Sequence, residues 1–561
     1  MGFMLPSAAS ESARRLASAL RITTTFADLL ERRGFGDDER TRSFLNPKLG
    51  QLTLPTPMAD RDAAIDRIVH AIRTSESMVL FGDYDCDGIT SVTILTEIIR
   101  ALGGRVQPCI ANRFQGGYGL SDIAVDRVLS RTPSLLITCD CGSSDHERLE
   151  RLKKHGVDTV VIDHHLVPEE RLPAVAFLNP RRPDCAFPYK HLASCGLALS
   201  LAAGLRAKLS PGLDVRQWLD LVAVGTVADM VPLDGDNRAL VRAGMRVLEQ
   251  GNRIGFQALA ELARISLANI TSETLSFDVA PRINAPGRLG HPQDALDLLL
   301  STDAMQARGL AAKLEAARTE RKRIQEQILL EAMKDIEENQ WQKAPALVLA
   351  RPSWHPGVVG IVASQLVEQF GRPAVVIGFD AGVGRGSVRG PEGISVFELL
   401  AASQDAPITF GGHHAAAGIS IAPSAVSKFR DLFMAAAARV MPQGAMIPAV
   451  GAEVLLDDDD KATDVVNDLQ WLEPCGASNE IPKIAVRGIQ VVRSQEVRGG
   501  HLQVQLARPS GEVLYGFGPR MGDWARKLRA GMPVCATGTL RRDGFRGGDA
   551  VALGLLSLVE D

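Results

Sequence analysis

Three short apolar runs, each ending in acidic or imidazole side chains, limit most strongly what this chain can fold into. SMVLFG (77–82) runs into DYDCDG, SLLITC (134–139) into Asp140, and VDTVVI (157–162) into Asp163, His164 and His165. Stretches of helical period lie between them: ITSVTILTEIIRALGG (89–104), which stops on glycines, a segment near 121–130 after a glycine-rich turn, and HERLERLKKHG (146–156). Apolar runs of this length separated by helices are buried strands, and the strand–helix–strand rhythm makes an α/β fold with a parallel sheet and helices on its faces.

A chain of 561 residues is too long for one core, so several domains are expected. Residues 1–60 read as an N-terminal helical extension ending in a proline-punctuated loop, and 61–300 as the first α/β domain. Residues 301–340 are charged and almost free of breakers, which predicts a long connecting helix. A second α/β domain follows over 341–445, opening on ALVLA. From 446 to 561 the pattern becomes short strands with turns, which reads as a small β-barrel of the OB-fold type.

The formal net charge of −4 does not announce a nucleic-acid binder. Charge is segregated, with aspartates crowded at Asp457–Asp460 and arginines at Arg385, Arg389, Arg541, Arg542 and Arg546 in other segments. The eight cysteines include no C-x-x-C pair, so neither a disulfide framework nor a zinc site is expected, and a reducing cytoplasm is the simplest location. No signal peptide and no apolar stretch long enough to cross a bilayer is evident.

Ligands of a parallel sheet collect at the carboxyl ends of its strands. Alternate residues of an extended segment point the same way, so Asp85 and Asp87 converge, and carboxylates so close repel unless a cation holds them. Oxygen donors suit Mg²⁺ or Mn²⁺. The competing reading is a helix-capping turn. An EF-hand is excluded because a strand precedes the motif and the glutamate at about loop position 12 is missing. Asp140 and Asp163 have bland alternatives as a helix cap and a binder of loop amides. Asp229, in VAVGTVADMVPL with Asp220 upstream, has one as a turn cap. Taken together, aspartates and histidines at successive strand ends are what a binuclear site needs, with two metals about 3.5–4 Å apart clamping a phosphate.

The motifs continue in a fixed order along the chain. They are GDYDCDG (82–88), ANRFQGGYGL (111–120), ITCDCG (137–142), IDHH (162–165), LDLVAVGTVADMVPL (219–233), APRINAPGRLG (280–290), WHPGVVGIVASQL (354–366), GRGSVRG (384–390), GGHHAAAG (411–418) and LEPCGASNEIP (472–482). With them the sequence resembles the DHH phosphoesterase superfamily in its RecJ branch, from about residue 50 to the end. The resemblance implies a DHH domain that holds the metals, a DHHA1 domain that closes over substrate, a long helix joining them, and an OB-fold for single-stranded DNA. It implies a 5′→3′ exonuclease of DNA repair and recombination that releases 5′ mononucleotides with two divalent ions, Mn²⁺ or Mg²⁺. The ligands it implies are Asp85, Asp87, Asp140, His164 and Asp229, with Asp140 bridging and His165 beside the scissile phosphate. Asp83 belongs to the motif with its role left open, and Asp229 is preferred to Asp220. Phe81 stands where many superfamily members have histidine, as is usual for this branch.

Recognition of a 5′ end needs a phosphate pocket, for which the arginine fork is suited. Candidates are Arg113, Arg282, Arg288, Ser387, Arg389, His413 and His414, chosen because neighbouring glycines let backbone approach a phosphate. Trp354-His355-Pro356-Gly357 reads either as groove wall or as a packed tryptophan. Arg541, Arg542, Phe545 and Arg546 read either as a track for a single strand or as a solvated hairpin tip. A monomer without membrane association is expected, and from the family come a single-strand-binding protein and a RecQ-type helicase as partners. Two alternatives carry less weight. A phosphodiesterase for short RNA or cyclic dinucleotides needs no extra barrel, and a non-catalytic replication scaffold should have lost ligands that are all present here.

Overall fold

The computed structural model describes residues 5–116, 119–380, 382–412, 414–441, 451–544, 546–548 and 550–561. The chain forms two compact units, one of Met1–Ala111, Gln115–Ala280 and Val450–Asp561, the other of Asn112–Phe114 and Pro281–Ala449. Among the described residues no helix is long and apolar enough to cross a membrane, and all eight cysteines are buried and free.

The first unit is built on a parallel sheet of β1 (Ser77–Gly82), β2 (Arg105–Ile110), β3 (Leu135–Cys139), β4 (Asp158–Ile162) and β5 (Ala176–Leu178), in the order β2-β1-β3-β4-β5. Val79, Phe81, Leu136 and Val161 pack on one face against Ala124, Val125 and Val128 of helix Asp122–Leu129 and Leu149 and Leu152 of helix His146–Lys154. Met78 and Leu80, of opposite parity, are equally buried. Burial on both faces explains why the strands read as continuous apolar runs rather than alternations. The order reverses between β1 and β3, and such a switch point opens a crevice at the carboxyl end of a sheet.

The tail is the expected barrel. Strands β12 (Ile484–Val497), β13 (His501–Ala507), β14 (Val513–Gly518), β15 (Pro533–Arg542) and β16 (Val551–Glu560) pair in the order β12-β13-β14-β16-β15, and β15 closes onto β12. The β14–β16 pairing is parallel and the rest are antiparallel, with the short β11 (Val454–Leu455) added parallel to β12.

The N-terminal helices Glu11–Leu20 and Thr24–Arg32 share the barrel's core: Leu16, Phe26, Leu29 and Leu30 lie in one buried cluster with Val465, Ile484, Val486 and Leu502. The aspartate run has a structural use here. Asp460 accepts from the backbone N–H groups of Thr24 and Thr25 at 3.2 and 2.7 Å, which caps the second helix, and Asp457 pairs with Arg14 at 3.0 Å. Arg238, fully buried, donates to the carbonyls of Phe44, Trp471, Leu472 and Pro474. Asn479 donates to the Leu472 and Pro474 carbonyls as well, so LEPCGASNEIP acts as a backbone brace.

The second unit holds the long helix Ala304–Glu338 and a mixed sheet of β6 (Leu347–Arg351), β7 (Ala374–Asp380), β8 (Val383–Arg389), β9 (Ile408–Gly412) and β10 (Ala416–Ile421), in the order β6-β7-β8-β10-β9. Only β6–β7 is parallel. Ile328, Ala332 and Ile336 of the long helix pack with Leu347, Leu349 and helix Val359–Phe370 in one core.

Because Phe26 is fully buried in the barrel core, Phe26→Ala should cost about 3–5 kcal/mol. Hydrogen exchange of residues 484–497 should accelerate in the variant; unchanged protection there would show that the helices do not share that core.

Candidate active site

In the first sheet, Gly82 is paired with Cys139 and Cys139 with Ile162, so β1, β3 and β4 end level. The next residues are Asp83, Asp140 and Asp163, whose N–H groups extend the ladder to the carbonyls of Cys139, Ile162 and Leu178 at 3.1, 2.9 and 3.0 Å. Three carboxylates are thus set side by side at the spacing of adjacent strands, about 4.8 Å.

Each takes a different task. Asp85 caps helix Cys86–Ala101, accepting from the N–H groups of Asp87 and Gly88 at 3.1 Å. The capping alternative is therefore true of Asp85, yet one of its oxygens still groups with Asp83 and Asp140. Asp87 accepts from the N–H groups of Ser194 and Cys195 at 2.7 and 2.8 Å, at the start of helix Ser194–Leu209. Asp140 has φ +61°, a left-handed backbone that costs a residue with a side chain energy and tends to persist at functional sites. Asp163 accepts from the N–H groups of Ser143, His164 and His165 and from His165 Nδ1 at 2.7 Å. It binds loop amides, and it orients His165.

Asp229 arrives from elsewhere in the chain. It is the C-terminal cap of helix Leu219–Ala228. That helix crosses helix Cys86–Ala101 closely at Gly225, where a Cβ would lie 2.4 Å from Thr90 Oγ1. Asp220, at the other end, pairs with Arg253 at 2.7 Å in a network with Glu97 and Trp218.

The side chains meet around His164. Its Nε2 lies 3.2 Å from Asp140, 3.4 Å from Asp229 and 3.9 Å from Asp87. Three sets of donor atoms lie within 4.8 Å: Asp83, Asp85 and Asp140; Asp87, His164 and Asp229; and Asp140, His164 and His165. Asp140 and His164 each occur in two. Sequence reasoning placed Asp85, Asp87, Asp140, His164 and Asp229 here, and all of them converge. It left open the role of Asp83, which joins them, and it missed Ser194, whose hydroxyl lies 3.2 Å from Asp140. No motif signal marked that serine.

The electrostatics are those of a site awaiting cations. Burial, then the charges of Asp85, Asp87 and Asp229, push the Asp140 carboxyl far above its ordinary range. Burial and Asp85 raise Asp87 to about 6, and burial with Asp87 and Asp85 raises Asp229 to about 9. Burial, then His165, lowers His164 to about 3, which keeps it neutral. Burial opposes charge on His165 as well, but the Asp163 hydrogen bond outweighs it and raises that pKa. Asp163 is held low by His165 against the cost of burial. Both ring nitrogens of His164 and one oxygen of Asp229 are buried without a hydrogen bond among the described residues. Buried polar atoms left this way are costly, and a divalent cation satisfies them. The donor set of oxygens with one imidazole fits Mn²⁺ or Mg²⁺.

Comparison with known proteins gives a consistent assignment. Three family models match in order: the DHH family N-terminal domain over residues 77–226, the DHHA1 domain over 343–439 and the RecJ OB domain over 453–556. The single-stranded-DNA-specific exonuclease RecJ of Dickeya dadantii is 37% identical over 391 residues, covering 66% of this chain and 68% of that protein. The chain belongs to the RecJ family. The RecJ of Bacillus subtilis is 34% identical over 508 residues, and the match spans 90% of this chain and 64% of that longer protein. The crystal structure of RecJ from Thermus thermophilus in complex with Mn²⁺ superposes with a TM-score of 0.82 at 30% identity, covering 99% of this chain and 78% of that one. The same protein is known with Mg²⁺, at a TM-score of 0.76 and 28% identity.

In the second unit a cluster of donors surrounds Gly357. Arg113 and Arg288 donate to its carbonyl at 3.4 and 3.3 Å. A Cβ on it would lie 2.2 Å from the Arg288 carbonyl oxygen, so only glycine fits. Arg389 donates to Ser387 Oγ at 2.9 Å, and both side chains lie against Gly360 in the first turn of helix Val359–Phe370. Burial, then the charge of Arg113, lowers the Arg389 pKa. The guanidinium of Arg389 also donates to the Val388 carbonyl at 2.8 Å. Arg282 and His414 have other contacts. Arg282 is buried against Glu315 at 2.6 Å. His414 is exposed, its carbonyl accepting from Val396 N–H, and His413 lies outside the described residues. Trp354 is buried, with Nε1 donating to Glu331 at 2.7 Å, which is the packed alternative. Of the barrel residues, Arg546 stacks over Tyr515 at 4.0 Å, Arg542 donates to Asn467, and Phe545 lies outside the described residues.

A carboxyl whose pKa is higher folded than unfolded adds stability only at low pH, and that contribution is lost as pH rises through the folded value. Without divalent ions the thermal midpoint should therefore fall between pH 5 and pH 8, and Mn²⁺ should restore it. Asp140→Asn should melt above the wild type without metal at pH 8 and gain little from Mn²⁺. Equal Mn²⁺-induced shifts in the two proteins, measured by differential scanning fluorimetry, would remove Asp140 from the metal site.

Proposed function

We propose that this chain is a divalent-metal-dependent exonuclease that degrades single-stranded DNA from a phosphorylated 5′ end and releases 5′ mononucleotides. The observation that carries the reading is the convergence of Asp83, Asp85, Asp87, Asp140, His164 and Asp229 at the carboxyl end of the sheet, with both ring nitrogens of His164 lacking hydrogen-bond partners among the described residues.

In this reading Asp87, His164 and Asp229 hold one ion, Asp83 and Asp85 the other, and Asp140 serves both. The ions, when bound, acidify a water and neutralise phosphate charge. Ser194 and the N–H groups that bind Asp87 keep the carboxylates in place, and such supports affect metal affinity or rate by about 10–100-fold. Asp163 fixes the proton of His165 on Nδ1 and so sets the ring's orientation toward the scissile phosphate. Arg113, Arg288, Ser387 and Arg389 form the pocket for the terminal phosphate, where guanidinium forks match its oxygens. Tyr515 and Phe517 on β14 and Arg546 offer a stacking and electrostatic track for the strand. A full ligand set disfavours a scaffold, and a closed barrel disfavours a dinucleotide substrate. A single-strand-binding protein and a RecQ-type helicase are the partners this reading carries with it.

With Mn²⁺ the protein should release mononucleotides from 5′-phosphorylated single strands and spare blunt duplex. Asp140→Ala should lower that rate on the order of a thousandfold, the several kcal/mol expected of a metal-held charge, with the fold retained by circular dichroism. Degradation at the wild-type rate by Asp140→Ala would sink the assignment. Arg389→Ala should weaken use of phosphorylated ends by about 10–100-fold, the range of one charged hydrogen bond, and leave hydroxyl ends unaffected. Steady-state rates on matched oligonucleotides distinguish the two effects.

A further inference from the structure

The donor cluster of the second unit contains one side chain that the nuclease reading leaves unused. His355 is half-buried, two residues before Gly357, and its ring packs edge-on against Phe114 at 5.5 Å between centroids. Its Nδ1 accepts the Gly357 N–H at 3.1 Å. A ring nitrogen that accepts a hydrogen bond carries no proton, so in the neutral ring the proton resides on Nε2. Burial, then the charge of Arg113, lowers the pKa of His355, with Asp380 opposing, which favours the same neutral ring that the Gly357 hydrogen bond requires.

We infer that His355 is a specificity-determining residue, a neutral hydrogen-bond donor through Nε2 to the terminal 5′ phosphate beside Arg113 and Arg389. The inference rests on the nuclease reading above. Three observations support it. Arg113 and Arg288 bracket the carbonyl of the same glycine whose N–H fixes the imidazole. Phe114, the neighbour of Arg113, sets the plane of the ring. The cluster already gathers three guanidinium groups, with Arg113 and Arg288 on one carbonyl and Arg389 close enough to Arg113 that its charge adds to burial in lowering the Arg389 pKa. A fourth cation there would add repulsion in the empty state. A neutral N–H adds a contact to the phosphate without that cost. A terminal phosphate has about −1.5 to −2 charges and three acceptor oxygens, whereas a 5′-hydroxyl end offers neither.

The test uses two single-stranded oligonucleotides of one sequence, one with a 5′ phosphate and one with a 5′ hydroxyl, and the full chain with Mn²⁺. The ratio of their kcat/KM values cancels everything that happens at the metals. His355→Phe keeps the packing on Phe114 and removes the donor, so it should lower kcat/KM on the phosphorylated strand by about tenfold, the worth of one such bond. It should leave the hydroxyl strand within twofold, an order-of-magnitude criterion for no loss. His355→Gln, which can present an amide N–H where Nε2 stood, should keep most of the preference. Three results would overturn the proposal: equal losses on both strands in His355→Phe, a His355→Gln as poor as His355→Phe on the phosphorylated strand, or a wild type with no preference between ends. The first two leave the whole nuclease reading standing, and the third removes its phosphorylated-end preference but not its chemistry, which fails if the wild type shows no Mn²⁺-dependent degradation of single strands or if Asp140→Ala degrades them at the wild-type rate. The Mn²⁺-induced thermal shift, unchanged in both variants, confirms that they are folded.

Discussion

Crowding of negative charge at the ends of three level strands is the constraint on which the rest of the first unit depends. Carboxylates one strand spacing apart in a buried site cannot all be ionised without counter-charge. The fold supports this concentration in several ways. Asp87 is held by the N–H groups of Ser194 and Cys195, and Asp85 by the first turn of the helix it caps. Asp163 is satisfied by three backbone N–H groups and the His165 ring, so it joins the cluster as a fixed anion that shapes its neighbours. Among the described residues, the unsatisfied atoms of the site include the ring nitrogens of His164 and one oxygen of Asp229, which is where a cation is needed.

The supporting structure also explains residues that look incidental. Gly225 is a site residue without any chemistry, because the close crossing it permits delivers Asp229 to a site formed more than sixty residues earlier in the chain. Asp140 takes a left-handed backbone although it is not glycine, which is tolerated because the level strand ends on either side determine its position. In the second unit the Gly357 turn does comparable work, since its carbonyl and N–H organise two arginines and one imidazole.

The legibility of these features followed their locality. Strands buried on both faces have an unmistakable apolar pattern, so the parallel sheet and the carboxyl-end position of Asp85, Asp140 and His164 could be read directly. The barrel was readable from alternating short strands such as β13, whose burial alternates residue by residue. Asp83 was undervalued because a motif aspartate next to a capping aspartate looks redundant in one dimension. Ser194 was invisible because it carries no pattern and acts only through proximity to Asp140. The aspartate run at 457–460 read as segregated charge and proved to be a helix cap and an ion pair for helices over four hundred residues away.

By itself the sequence determined the class of fold, the strand ends at which the acidic and imidazole groups fall, and the family. These follow from hydrophobic period and residue spacing, which are local. Only the tertiary structure decided which oxygens and nitrogens converge, that Asp229 and not Asp220 faces them, that the N-terminal helices complete the core of the barrel, and that Arg113, Arg288 and His355 gather around one glycine. Those outcomes depend on strand register, helix crossing and long-range packing, in which small shifts redirect a side chain, and no single segment of the chain encodes them.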